Sequence, residues 1–103
     1  MKNKTSKLRK LEKERYSILT NNLEHCIICK QSPVDMHEIY AGAKRQMSMK
    51  NGFCVPLCRM HHIIVTNNNV ADVYFREECQ RKFEEEHTRE EFIKLVGRNY
   101  LEL

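Results

Sequence analysis

Cys26 and Cys29 stand two residues apart in CIIC, and Cys58 and His61 repeat that spacing in CRMH about thirty residues later. One tight turn aims each pair at a common point, and tetrahedral zinc takes four sulfur or nitrogen donors, so two such pairs from separate segments close a structural site. The pattern therefore assigns Cys26, Cys29, Cys58 and His61 to a structural zinc ion. Two alternatives stay open inside that reading: His62 in place of His61, because a helix start can turn either imidazole inward, and Cys54 in place of one member. Buried reduced thiols are the competing explanation, and two coincident pairs sharing a histidine argue against it. Cys54, in the apolar run FCVPL, and Cys79, in a helical stretch, read as small core hydrophobes.

Positioning these ligands requires local elements that the sequence spells out. Between the pairs, Val34–Tyr40 alternates over a strand-sized length, with Asp35 and His37 on one side and Met36, Glu38 and Tyr40 on the other. Ala41–Asn51 reads as a basic loop carrying Lys44, Arg45 and Lys50. Gly52 opens a second strand, FCVPL, that pairs with the first in an antiparallel hairpin. Cys58 opens a helix whose first turns hold His61 and His62 and whose Ile63, Ile64 and Val65 are expected beneath the hairpin. Asn67, Asn68 and Asn69 end it, since asparagines favour turns.

Flanking helices complete the chain. Ser6–Asn22 places Leu8, Leu11, Ile18 and Leu19 at mostly helical spacing among charges, which predicts an amphipathic helix with a basic face. After the asparagines a helix runs to about Glu86 with Phe75, Cys79 and Phe83 at i, i+4 and i+8. Thr88 and Glu91 form a capping box for a last helix that Gly97 stops. Glu84, Glu85 and Glu86 read as a solvated helix end. The fold class is thus α+β in one domain over 1–103, with a basic helix in 1–23, the zinc-bound core in 24–69 and two helices in 70–103.

At 103 residues the chain has room for only a small core, which a bound metal would reinforce. The basic, polar N-terminus and the odd count of five cysteines predict a reducing cytoplasmic setting, where such spacings mean metal rather than disulfides. No apolar run approaches a membrane span, so no membrane partner is expected. The net charge of +4 is unevenly placed: residues 1–15 hold seven basic side chains against two acidic, whereas 72–103 hold six against nine. The front of the molecule is suited to a polyanion, with Lys7, Arg9, Lys10, Lys44, Arg45 and Lys50 as candidate nucleic-acid contacts.

In order, the zinc pair, a strand with VDMHEI, a second strand and a helix opening on CRMHH resemble the HNH endonuclease family, the ββα-metal fold. The runs HEIYAGAKRQMS, GFCVPLCRMHH and QRKFEEEHTREEFIKLVGRNYL are similar to small HNH-like proteins of phages and prophages. The resemblance implies a metal-dependent DNA endonuclease working in the cytoplasm of a bacterial host. Carried over by motif, His37 and His62 hold a catalytic Mg²⁺ or Mn²⁺ ion and Glu38 stands at the general-base position. Phe53 occupies the place of the family's middle asparagine, with Asn51 the nearest substitute, and Asp72 stands where relatives carry a further histidine. The alternative is a catalytically impaired HNH-derived zinc module that binds DNA, or a host or phage protein, without cleavage.

Overall fold

The computed structural model describes residues 6–101; Lys2 and Lys4 of the basic segment lie outside them. The elements are helix α1 (Ser6–Lys13), strand β1 (Asp35–Glu38), helix α2 (Arg45–Lys50), strand β2 (Cys54–Leu57), and helices α3 (Arg59–Asn67), α4 (Asn69–Phe83) and α5 (Arg89–Val96). The architecture is α+β: one antiparallel hairpin, β1–β2, surrounded by helices. None of the described helices is long and apolar enough to cross a membrane.

Register decides what the hairpin presents. Asp35 pairs with Leu57, Met36 with Pro56, His37 with Val55 and Glu38 with Cys54. Every residue of β2 is buried, while β1 is half-buried throughout. Proline lacks an amide hydrogen and belongs on an edge, yet Pro56 still offers its carbonyl outward. Ile27 N–H donates to that oxygen at 2.9 Å, which docks the Cys26–Cys29 turn on the hairpin. Past Glu38 the alternation stops: Ile39 and Tyr40 are both buried, and Ile39 N–H continues the pairing to the Phe53 carbonyl at 2.9 Å.

The main core lies on one side of the hairpin. Phe75, Cys79 and Phe83 all point inward from α4 at the expected spacing, and Phe92 and Val96 answer from α5. Phe53, fully buried, is the centre of an aromatic group, with ring centroids 5.5 Å from Tyr40, 5.6 Å from Phe83 and 6.2 Å from Phe92. Such edge and tilted contacts suit the ring quadrupoles. Burial pushes the Cys79 thiol up to about 12, as befits a core residue.

Caps set the boundaries of the C-terminal helices. Asn68 closes α3 and caps α4 with its side chain, accepting from Ala71 N–H. The Thr88–Glu91 capping box is complete, and Gly97 takes φ 101° as the left-handed stop of α5. A side chain at that φ is strained, which is why glycine ends the helix.

Several elements depart from expectation. The first helix ends at Lys13 rather than Asn22; the following segment instead runs as an irregular stretch with bends, with Ile18 N–H donating to the Gly52 carbonyl at 3.0 Å and the Tyr16 hydroxyl to the Lys50 carbonyl at 3.1 Å. These non-local bonds override helix propensity. The expected loop over 41–51 holds a 3₁₀ turn (Gly42–Lys44) and then α2. In α3 only Val65 is buried, and Ile63 and Ile64 face outward. The helix is packed along a narrow stripe, too narrow to take three consecutive apolar residues.

Candidate metal centre and the facing histidines

The knuckle that carries Cys26 and Cys29 turns on Lys30, which adopts φ 67°. Lys30 N–H donates to the Cys26 carbonyl at 2.8 Å, and Cys26 N–H to the Gln31 carbonyl at 2.8 Å, so the loop folds back on itself. Cys58, the N-cap of α3, supplies the second pair: its sulfur accepts from His61 N–H at 3.5 Å, and His61 lies one turn into the helix.

Together, Cys26, Cys29, Cys58 and His61 present donor atoms that all lie within 4.8 Å of one another; it is the sole such cluster of His, Cys, Asp or Glu among the described residues. Individual edges are 3.7 Å for Cys29 Sγ to Cys58 Sγ, 3.6 Å for Cys26 Sγ to His61 Nδ1 and 3.3 Å for Cys58 Sγ to His61 Nδ1. A zinc tetrahedron built from ordinary Zn–S and Zn–N bonds has S···S edges of about 3.8 Å and S···N edges of about 3.6 Å. The four donors therefore fit a metal such as zinc.

The sulfur electrostatics point the same way. Burial opposes ionisation of Cys26, but the amides of Cys58, Cys29 and Ile28 directed at its sulfur outweigh it and bring the thiol down to about 6. At Cys29 the Gln31 amide favours the thiolate, yet burial and the neighbouring Cys26 and Cys58 prevail and raise it. One thiolate forms readily and the next resists, and a divalent cation among them removes that resistance.

Of the two alternatives for the cluster, neither is realised. His62 turns away from it, and Cys54 is buried in β2 with its thiol directed at the Ser48 carbonyl, 3.9 Å away. Burial, then the charge of Glu38, pushes the Cys54 thiol up to about 12.

His62 instead meets His37. The ring centroids are 5.3 Å apart, edge to face. His62 Nδ1 donates to Asp35 Oδ2 at 3.0 Å; because a carboxylate can only accept, the neutral ring keeps its Nε2 lone pair open. That bond, with Arg59 beside it and burial opposing, holds the Asp35 carboxyl below its usual range. His37 Nε2 is buried without a hydrogen-bond partner. Burial, then the nearby His62, keeps the His37 imidazole below its ordinary range, while Asp72 and Glu38 pull the other way. Two imidazole nitrogens, His37 Nε2 and His62 Nε2, are thus left without a hydrogen-bond partner among the described residues.

Glu38 is not with them. Strand alternation sends it to the opposite side, where Arg45 Nε reaches its Oε1 at 3.0 Å and Arg15 Nη2 its Oε2 at 2.8 Å. Glu38, which the resemblance puts at the general-base position, is instead held in ion pairs by Arg15, before the hairpin, and Arg45, in the connection between its strands. Arg45 also pairs with Glu12, so this candidate nucleic-acid contact is occupied within the molecule. Lys7, Arg9 and Lys10 on α1, and Lys44 and Lys50 beside or within α2, are exposed. Asn51 is the C-cap of α2 and spends its side-chain amide on the Met47 carbonyl at 2.9 Å. Asp72 does reach the surroundings of His37, paired through Oδ2 with Arg76 Nε at 3.2 Å. Arg15 and Arg76 escaped the sequence reading; the i, i+4 spacing of Asp72 and Arg76 was the available signal for the second, and nothing local pointed to the first. The chain matches no protein-family model, no curated protein and no solved structure.

Proposed function

We propose that this chain is a zinc-stabilised HNH-type module of the ββα-metal class that binds DNA and hydrolyses its phosphodiester bonds with a divalent ion held by His37 and His62. The observation that carries this reading is the facing of His37 on β1 and His62 on α3, with ring centroids 5.3 Å apart, beside a Cys3His cluster. Mg²⁺ or Mn²⁺ bound there would polarise the phosphate and offset charge on the leaving oxygen.

The protein's own groups have separable tasks. The zinc cluster ties α3 to the Cys26–Cys29 knuckle, and with it sets where His62 stands. Asp35 fixes the His62 tautomer. His37, held neutral near pH 7, presents a lone pair rather than a repelling charge. Lys7, Arg9, Lys10, Lys44 and Lys50 supply phosphate contacts away from the reacting bond.

A second reading, a module that grips DNA without cutting, draws on a different observation: Glu38, at the family's base position, is turned away and tied to Arg15 and Arg45. Nicking of supercoiled plasmid with Mg²⁺ or Mn²⁺ separates the two. Cutting by the wild type that disappears in the His37→Ala, His62→Ala double variant supports the enzyme. DNA retained but left intact in both metals rejects it in favour of the binding module.

A further inference from the structure

Beyond Gly97 the chain folds back over α4 and is strapped down by one buried side chain. Gln80, fully buried, donates to Asn99 Oδ1 at 2.7 Å and accepts from Tyr100 N–H at 2.8 Å. A buried amide satisfied on both its nitrogen and its oxygen holds a segment in one place. The strap walls a cavity of about 650 Å³ against α4, lined by Asp72, Val73, Arg76, Arg98, Asn99 and Tyr100.

The charges in this cavity are unbalanced. Arg76 is spoken for twice, by Asp72 Oδ2 at 3.2 Å and by the Tyr100 hydroxyl, which accepts from Nη1 at 2.9 Å. Arg98 stacks its guanidinium 4.7 Å from the Tyr100 ring centroid and has no carboxylate partner among the described residues. Two guanidinium groups thus face one carboxylate, and stacking orients Arg98 while leaving its N–H donors open. Asp72 and Arg76 are also the α4 residues whose charges act on His37. Two residues of the cavity wall, one helical turn apart, thus lie within electrostatic reach of His37.

We infer that this cavity is a phosphate-binding subsite for a nucleic-acid strand, with Arg98 as the phosphate ligand and Arg76, held by Asp72 and Tyr100, as its second positive wall. The inference rests on the reading of the chain as a module acting on nucleic acid. It adds a contact on the C-terminal strap, in a region where acidic residues outnumber basic ones, that the basic front does not account for. Arg98 is a positioning residue here: it would seat a phosphate neighbouring the one presented to His37 and His62. The cavity volume is within the range of sites that enclose a small ligand, and a guanidinium fork matches phosphate geometry.

The test titrates thymidine 3′,5′-bisphosphate into zinc-loaded, ¹⁵N-labelled full-length protein without added Mg²⁺, alongside the plasmid-nicking assay. Amide shifts centred on Asn99, Tyr100 and Arg76 are expected. Affinity should fall about tenfold in Arg98→Gln, the scale of one charge-assisted contact, and recover in large part in Arg98→Lys. Arg98 is exposed, and retention of the wild-type spectrum in the free variants checks that the fold survives. Absence of shifts at the cavity, or equal affinity in Arg98→Gln, overturns the subsite even when plasmid is nicked. Shifts at the cavity with the expected loss support it even when plasmid stays intact, in which case the cutting reading alone falls.

Discussion

Glu38 illustrates how a residue's role is settled by partners the local sequence does not name. Strand alternation alone places it opposite His37, and that much was legible in VDMHEI. What fixes it there is Arg45, seven residues on, and Arg15, from a segment before the Cys26–Cys29 turn. Glu38→Ala should therefore leave any nicking activity in place while lowering stability by about 1–3 kcal/mol, the cost of removing a charged hydrogen bond from Arg45 and an ion pair from Arg15. Urea unfolding of the variant beside a nicking assay checks both halves; lost cutting with unchanged stability would return Glu38 to the reaction. Lys30 offers a second residue-scale test. At φ 67° it occupies a conformation that costs an ordinary L-residue about 1 kcal/mol or more. Lys30→Gly should hold or raise the unfolding midpoint and Lys30→Val should lower it, with zinc content unchanged in both. The members of the Cys3His cluster were legible because each pair is defined within four residues. The choice between His61 and His62 was not, since both begin the same helix and only the Asp35 partner across the hairpin separates them.

Helix limits divide along the same line. The C-terminal helices were readable because their signals are local: Asn68 between α3 and α4, the Thr88 capping box and the left-handed Gly97. Thr88→Ala should cost about 1 kcal/mol, measured by thermal unfolding, and an unchanged midpoint would mean that packing alone sets the start of α5. The first helix was over-read, because Tyr16 and Ile18 bond to the Lys50 and Gly52 carbonyls, and no propensity scale registers a partner more than thirty residues away. Glu84 likewise is no solvated end: it sits between Arg89 and Gln80. Its carboxyl is held low chiefly by Arg89, with burial opposing and the Gln80 amide assisting. Because the folded value is depressed, this contribution is present above the ordinary glutamate range near pH 4.3 and fades as pH falls through the lower folded value. Stability measured from pH 6 down to pH 3 should fall less steeply in Glu84→Gln than in the wild type; parallel curves would remove Glu84 from the acid response.

For the molecule as a whole, a zinc ion held by the Cys3His cluster would be a major stabilising element. Structural zinc contributes on the order of 10 kcal/mol of apparent free energy, comparable with the entire stability of a typical domain. About one zinc per chain is expected, and chelation or Cys58→Ala should abolish cooperative unfolding of the knuckle, hairpin and α3. Folded protein purified without chelator and found free of metal would reject this. Under the proposal that the chain binds DNA, the exposed lysines and arginine of α1 predict that deleting the helix lowers the salt slope of that affinity by about one per lost phosphate contact; an unchanged slope would leave α1 as packing only.

The spans of these contacts also bear on synthesis of the chain. Tyr16 bonds a carbonyl 34 positions ahead, Cys26 faces a donor 35 ahead, and the Tyr40 hydroxyl reaches an acceptor 36 ahead. Gln80 then awaits Asn99 and Tyr100. Each third of the protein finds its seat only when the next has emerged, so a nascent chain on the ribosome holds its thiols uncovered until CRMH follows them out. Such ordering disfavours piecemeal folding and favours one late, cooperative closure. A metal held by the four-residue cluster would be taken up after Cys58 and His61 appear, and a chain truncated before Cys58 should then be unable to retain zinc.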